Sequence, residues 1–167
     1  MQNVEQIVVP VDFHQHTDDL VAFAVNIAKK LGAKVTFLHV AEHITEMARY
    51  ADVYPTSFAA IDEEIFGYAR KKMDDLVANT KLDCPGCGGE VIKGEAADGI
   101  VGYVKDKDNC LLVMGTHGAQ GIEKIMLGSV AERVLKRAAC PILVFNPYRG
   151  ERGYQITSPL NETLQAI

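Results

Sequence analysis

The residues best suited to chemistry lie in the C-terminal half, in Met114-Gly115-Thr116-His117-Gly118 and, ten residues on, in Gly128-Ser129-Val130. Together they read G-x2-G-x9-G-S, opening at the end of an apolar run and closing where a helical pattern begins. Glycines let backbone amides approach a ligand with no Cβ in the way. A helix that starts just after them offers unpaired N–H groups and the positive end of its dipole, a seat for phosphate. Two plainer readings stay open: Ser129 with Glu132 spells a capping box, and Gly115 and Gly118 suit a tight turn. His117 is counted with the ligand-binding candidates, its plainer reading being a solvent-facing loop residue. Neither His117 nor Lys124 makes a convincing base, so no catalytic residue is assigned. A second candidate, Asp12, ends the first apolar run. Its carboxylate could accept hydrogen bonds from a ribose or base, hold a Mg²⁺ that bridges phosphates, or simply cap the first strand-to-helix turn.

Those residues need elements to position them, and the apolar pattern supplies two lengths. Short Val/Ile/Leu-rich runs at Gln6–Val11, Lys34–Val40, Glu90–Lys93, Cys110–Met114 and Pro141–Phe145 suit strands buried on both faces. Between them come helical patterns: Leu20, Ala24, Ile27 and Leu31; Ile61, Ile65, Tyr68, Met73, Leu76 and Val77; a short one near Asp98–Lys105; and one opening at Ser129 with Val130, Val134 and Leu135. For the first helix, Thr17 is the expected cap, Asp18 and Asp19 favour the N-terminal end, Lys29 and Lys30 the C-terminal end, and Gly32 the stop. Alternating strands and helices predict one doubly wound, five-stranded parallel sheet with helices on both faces, and the order taken for it is 3-2-1-4-5. In that order strands one and four meet where the winding reverses, so Asp12 and Gly115 face one crevice. Ala41–Ala60 reads as a long, partly helical connection and Lys81–Gly89 as a turn-rich loop. Residues 1–146 form the expected domain. Residues 147–167 form a tail in which Ser158-Pro159, Leu160, Leu164 and Ile167 suit a small amphipathic helix.

Composition bounds the partners. The chain has 167 residues, 48% hydrophobic and 23% charged, with a net charge of -5. That describes one globular domain and disfavours nucleic acid and anionic membranes as partners. There is no apolar run long enough to span a bilayer and no signal-peptide pattern at Met1–Gln6, so the expected location is the cytoplasm. The four cysteines are expected to be reduced, with Cys110 and Cys140 as small core residues. Cys84-Pro85-Gly86-Cys87 reads first as a plain loop, then as a redox pair, and last as half a zinc site.

Ile7-Val8-Val9-Pro10-Val11-Asp12, the G-x2-G-x9-G-S loop, and the run from Gly128 to Phe145 closely resemble the universal stress protein domain, in its ATP-binding branch. The resemblance covers Gln6 to Phe145 and implies a Rossmann-like domain that binds ATP, or ADP or AMP, with or without Mg²⁺. It implies that Pro10, Val11 and Asp12 line the adenosine side, that Val40 meets the adenine edge through its backbone, and that Ala97 closes over the base. Met114 and Gly115 would flank the ribose, and Gly118, Gly128, Ser129 and Val130 would hold the phosphates. It also implies a homodimer paired through Pro141–Phe145, a hydrophobic edge otherwise exposed. Two departures stand out. His14, Gln15 and His16 follow Asp12 where serine is frequent. Ala119 and Gln120 stand where a basic residue often follows the second glycine, which leaves less positive charge for the phosphates.

Other nucleotide folds lack their motifs here: no G-x-G-x-x-G follows the first strand, no G-x4-G-K-[ST] occurs, and the first loop is not the Ser/Gly-rich loop of an ATP pyrophosphatase. The expected role is regulation of a stress response by nucleotide occupancy through an unknown protein partner. The alternatives are a nucleotide-independent dimeric interaction module, a slow ATPase, and a redox sensor acting through Cys84 and Cys87.

Overall fold

The computed structural model describes residues 3–42, 56–116 and 127–147. Five strands, β1 (Gln6–Pro10), β2 (Lys34–Ala41), β3 (Gly88–Lys93), β4 (Cys110–Gly115) and β5 (Ile142–Phe145), alternate with four helices. The helices are α1 (Thr17–Leu31), α2 (Thr56–Thr80), α3 (Ala96–Val104) and α4 (Ser129–Arg137). All strand pairs are parallel and the order is β3-β2-β1-β4-β5, as expected from the sequence. Strand ends differ from the apolar runs by one or two residues, because main-chain pairing rather than side-chain hydrophobicity decides them.

Successive strand residues point to opposite faces, so each unbroken apolar run feeds two cores. Ile7, Val9, Phe37 and Val113 pack with Leu20, Ala24 and Ala28 of α1 and Met73 of α2. Val8, Leu38, Leu112 and Met114 pack with Ile100 and Val104 of α3 and Ala131 and Val134 of α4. The helix after β1 therefore covers one face and the helix after β4 the other, which opens a crevice between the strands' carboxyl ends.

Local signals are mostly obeyed. Gly32 ends α1 at φ 67°, donating to the Ala28 carbonyl in the left-handed conformation that glycine adopts without strain. Three expectations need correcting. Thr17 does not cap α1: it is the first helical residue, buried, and His16 holds the cap position without a side-chain bond. The second helix starts at Thr56, so it takes up the end of the Ala41–Ala60 connection; residues 43–55 lie outside the described residues. Ile61, Ile65 and Tyr68 of its expected pattern are all exposed. Ala69 is buried at 5% exposure, while Tyr68 is 62% exposed with the Lys72 ammonium 5.0 Å over its ring. The tail helix expected at Ser158–Ile167 also falls outside the described residues. Among the described residues, no helix is long and apolar enough to cross a membrane.

Candidate functional site

The crevice is built from the ends of β1 and β4. Their register, Gln6 with Cys110 through Val8 with Leu112, brings Pro10-Val11-Asp12 alongside Met114-Gly115-Thr116. Asp12 is exposed, and its Oδ1 accepts from the His14 amide (3.2 Å) and the Thr17 hydroxyl (3.4 Å). This is the turn-closing role left open by the sequence. Both bonds fall on Oδ1, so closing the turn occupies one carboxylate oxygen of two.

Two residues that sequence reasoning missed hold this turn. Phe13 lies at φ 58°, a left-handed conformation that costs a bulky residue about 1–2 kcal/mol. Its ring packs on His39 of β2 with centroids 4.6 Å apart. The His39 Nδ1 lies 2.8 Å from the Val11 carbonyl. A carbonyl can only accept, so Nδ1 carries the hydrogen and donates. The strained backbone at Phe13 is thus over-determined by a ring contact and a hydrogen bond, the pattern expected where a turn must hold one shape. Nothing local marks Phe13 for positive φ, and His39 lies 28 positions from Val11.

On the β4 side, the Thr116 amide donates to the Phe145 carbonyl (2.8 Å), and the Gly128 amide donates to the Thr116 carbonyl (2.8 Å). The glycine-rich segment therefore leaves and returns at one point. His117 and Gly118 lie within it, outside the described residues. Gly128 is the N-cap of α4 at φ -60°, ψ 147°, and, being a glycine, has no side chain with which to cap the helix. The capping box does not form: Ser129 is already helical, and the Glu132 carboxylate takes Lys136 at 2.6 Å, which holds its pKa below the usual carboxylate value. The amides of Ser129, Val130 and Ala131 precede the first intrahelical bond, which Glu132 makes to the Gly128 carbonyl at 2.9 Å. Gly128's own N–H is already engaged, so this residue contributes the absence of a side chain.

The neighbouring α3 offers a contrast. Its N-cap is Glu95, whose Oε2 accepts from the Asp98 amide at 3.0 Å and whose Oε1 accepts from the Arg133 guanidinium of α4. Burial pushes the Glu95 carboxyl upward, but the amide and guanidinium outweigh it and hold its pKa below the ordinary value. Of the two helices that begin at this edge on the same face, one is capped by its own N-cap carboxylate and the other has a glycine at that position.

The remaining candidates sit lower. Met114 is 4% exposed and Ala97 0%, so in this conformation they support the floor rather than an open wall. Val40, half-buried, is fitted against Gly99, where a Cβ would come within 2.8 and 2.9 Å of its methyl groups. Among the described residues, no group of three or more His, Cys, Asp or Glu could hold a metal. A Mg²⁺ at Asp12 would take one carboxylate oxygen and draw its other ligands from phosphate and water, a donor set that suits this ion. A groove of about 310 Å³ between α2 and the β3 edge, lined by Arg70, Met73, Asp74, Gly89, Glu90 and Val91, lies apart from this crevice.

A profile described as the universal stress protein family matches residues 3–146. The chain belongs to the universal stress protein family. Universal stress protein MJ0531 of Methanocaldococcus jannaschii is 33% identical over 140 residues, covering 84% of this chain and 81% of that protein. Solved family structures share the fold. Universal stress protein UspA from Lactobacillus plantarum superposes with a TM-score of 0.71 at 24% identity, over 86% of this chain and 98% of that one. A universal stress protein from Archaeoglobus fulgidus in complex with dAMP superposes at 0.60 with 20% identity, over 85% and 98%. A universal stress protein in complex with cAMP superposes at 0.54 with 21% identity, over 86% of this chain and 98% of that one. Thus some structural neighbours in this family bind adenine nucleotides.

The Cys84–Cys87 loop is a tight turn in which the Cys87 amide donates to the Cys84 carbonyl at 3.0 Å. Both residues are 8% exposed and belong to the core under α1. Burial, then the neighbouring Cys84, raises the Cys87 pKa and disfavours the thiolate that redox chemistry needs. Cys110 is buried as expected, while Cys140 is only half-buried.

Proposed function

We propose that this universal stress protein binds ATP, or ADP or AMP, in the β1–β4 crevice, with nucleotide occupancy rather than turnover as its output. The observation that carries the reading is the N-terminus of α4, which opens on a glycine, is tied to the end of β4 by the Gly128–Thr116 bond and is set across the winding reversal from Asp12. Ser129 and Val130 amides would take phosphate oxygens, the second Asp12 oxygen would take a ribose hydroxyl or a phosphate-bridging Mg²⁺, and main chain at Val40 would meet the base. Gly115 and Gly118 would let the intervening loop settle over the phosphates. The dAMP and cAMP complexes of structural neighbours support an adenine nucleotide as the ligand class.

We assign no residue to activating a water, and hydrolysis is expected to be at most slow. Occupancy would bias pairing through β5 or the docking of a protein partner. Mass spectrometry of nucleotide released from purified protein, with and without Mg²⁺, tests the reading. An adenine nucleotide should be released, and calorimetry on stripped protein should restore binding. No release together with no calorimetric binding would leave the dimeric interaction module as the better account.

A further inference from the structure

The crevice carries a charge problem. Asp12 and Glu95 are both carboxylates at this edge, and a nucleotide brings more negative charge. In sequence, the stretch between Gly118 and Gly128 carries one cation, Lys124, beside one anion, Glu123, and so adds no net positive charge. The last-turn cations of α4 are committed at the far end of the helix, Lys136 to Glu132 and Arg137 to Asp98 at 2.5 Å. Arg133 stands apart from them. It is four residues from Ser129, so the two share a helix face, and helical side chains lean toward the N-terminus. Its Nε lies 3.4 Å from the Ser129 carbonyl, which sets the guanidinium beside the first turn of α4. Its side chain is 46% exposed, leaving room to move.

We infer that Arg133 is the side chain that selects for the nucleotide's outer phosphates, and that Glu95 holds it in reserve until they arrive. This rests on the nucleotide reading above and deepens it. The two oxygens of Glu95 divide their work: Oε1 takes Arg133 and Oε2 takes the Asp98 amide. Releasing the arginine therefore leaves the α3 cap intact. A guanidinium fork matches a phosphate at least as well as a carboxylate, and a phosphate bearing more than one negative charge outcompetes a single carboxylate for it. Exchange of Arg133 from Glu95 to phosphate would also remove one of two ion pairs that join the first turn of α3 to α4, leaving Arg137 with Asp98. Phosphate count at one end of the crevice would thereby be reported to the segment beneath the base.

Calorimetric titration of the full chain with adenosine, AMP, ADP and ATP, at fixed Mg²⁺ and salt, tests this. Arg133→Gln should weaken ATP and ADP about ten- to hundredfold, the loss of a hydrogen bond to a charged group, and leave adenosine within about twofold. Glu95→Gln, whose amide oxygen can still accept from Asp98, should tighten ATP severalfold. A merely structural bridge predicts that both variants weaken binding together, and Arg137→Gln, which breaks the adjacent bridge, should change nothing. Melting curves establish that each variant folds. If Arg133→Gln does not fold, Arg133→Lys, which keeps the charge and loses the fork, should fall between wild type and that loss. Wild type that binds ATP while both variants move in the same direction, or neither moves, overturns the role of Arg133 and leaves the nucleotide reading standing. Wild type that binds no adenine nucleotide overturns both.

Discussion

Replacing Gly128 by aspartate sets helix stability against ligand binding at one atom position. The backbone there, φ -60° and ψ 147°, is open to any residue and is the extended conformation of an N-cap. Glycine is therefore not required by main-chain strain, and an aspartate can enter without moving the helix. Its carboxylate would accept from the Val130 or Ala131 amide, filling the seat proposed for phosphate. Against glycine that cap gains a few tenths of a kcal/mol, and the charge beside the dipole adds about 0.3–1 kcal/mol. The melting temperature should rise by about 1–4 °C for a domain of this size. Binding should move the other way. Two amide bonds to a charged phosphate, at about 1.5–3 kcal/mol each, are lost, and a like charge is added. The loss therefore exceeds about 3 kcal/mol, more than a hundredfold in Kd. Thermal melts and calorimetry with ATP on the same samples read both quantities. A folded Gly128→Asp protein that binds ATP within threefold of wild type would refute the reasoning, because the phosphates would then sit elsewhere.

Three further outcomes follow from the packing. A Cβ at Gly89 would come within 2.4 Å of the Met73 sulfur and 2.8 Å of Val77, so Gly89→Ala should cost about 1–3 kcal/mol in denaturant melts yet leave nucleotide affinity unchanged. Gly99→Ala presses instead on the stiff, β-branched Val40 and should lower both stability and affinity in the same assays. His39→Ala removes the Val11 carbonyl's donor and Phe13's ring partner, with an expected loss of about 1–3 kcal/mol; an unchanged melt would show the strained turn to be held by other means. In pH terms, burial first and Cys140 second push the Cys110 thiol up to about 11. The raised value means the folded state favours the neutral thiol. That contribution is complete below the unfolded thiol pKa and disappears as pH rises toward 11, so native Cys110 should resist alkylation at pH 8 and react on unfolding.

Much of the architecture was legible in the chain because its determinants are local. Strand runs such as Lys34–Val40, the dipole-matched ends of α1, and Gly32 as its stop each depend on residues within a few positions. Alternation of the two element types then led to a parallel sheet with crossovers of one hand, and the order 3-2-1-4-5 led to the crevice. The glycine spacing marked the place where α4 begins. What neither periodicity nor spacing could decide was which of several local options each polar group would take. Ser129-Val130-Ala131-Glu132 spells a capping box, yet Glu132 pairs with Lys136 and Gly128 takes the cap. Thr17 looks like a cap and is instead a buried donor to Asp12. The most consequential contacts span long separations: His39 with Val11 across 28 positions and Arg133 with Glu95 across 38. Such pairs exist only once the sheet has brought β1 beside β2 and placed α3 against α4. The amino-acid pattern determined where a phosphate seat could form and put a glycine at its helix start, and only tertiary packing brought Arg133 of α4 to the Glu95 that caps α3, because those side chains meet only in the folded state.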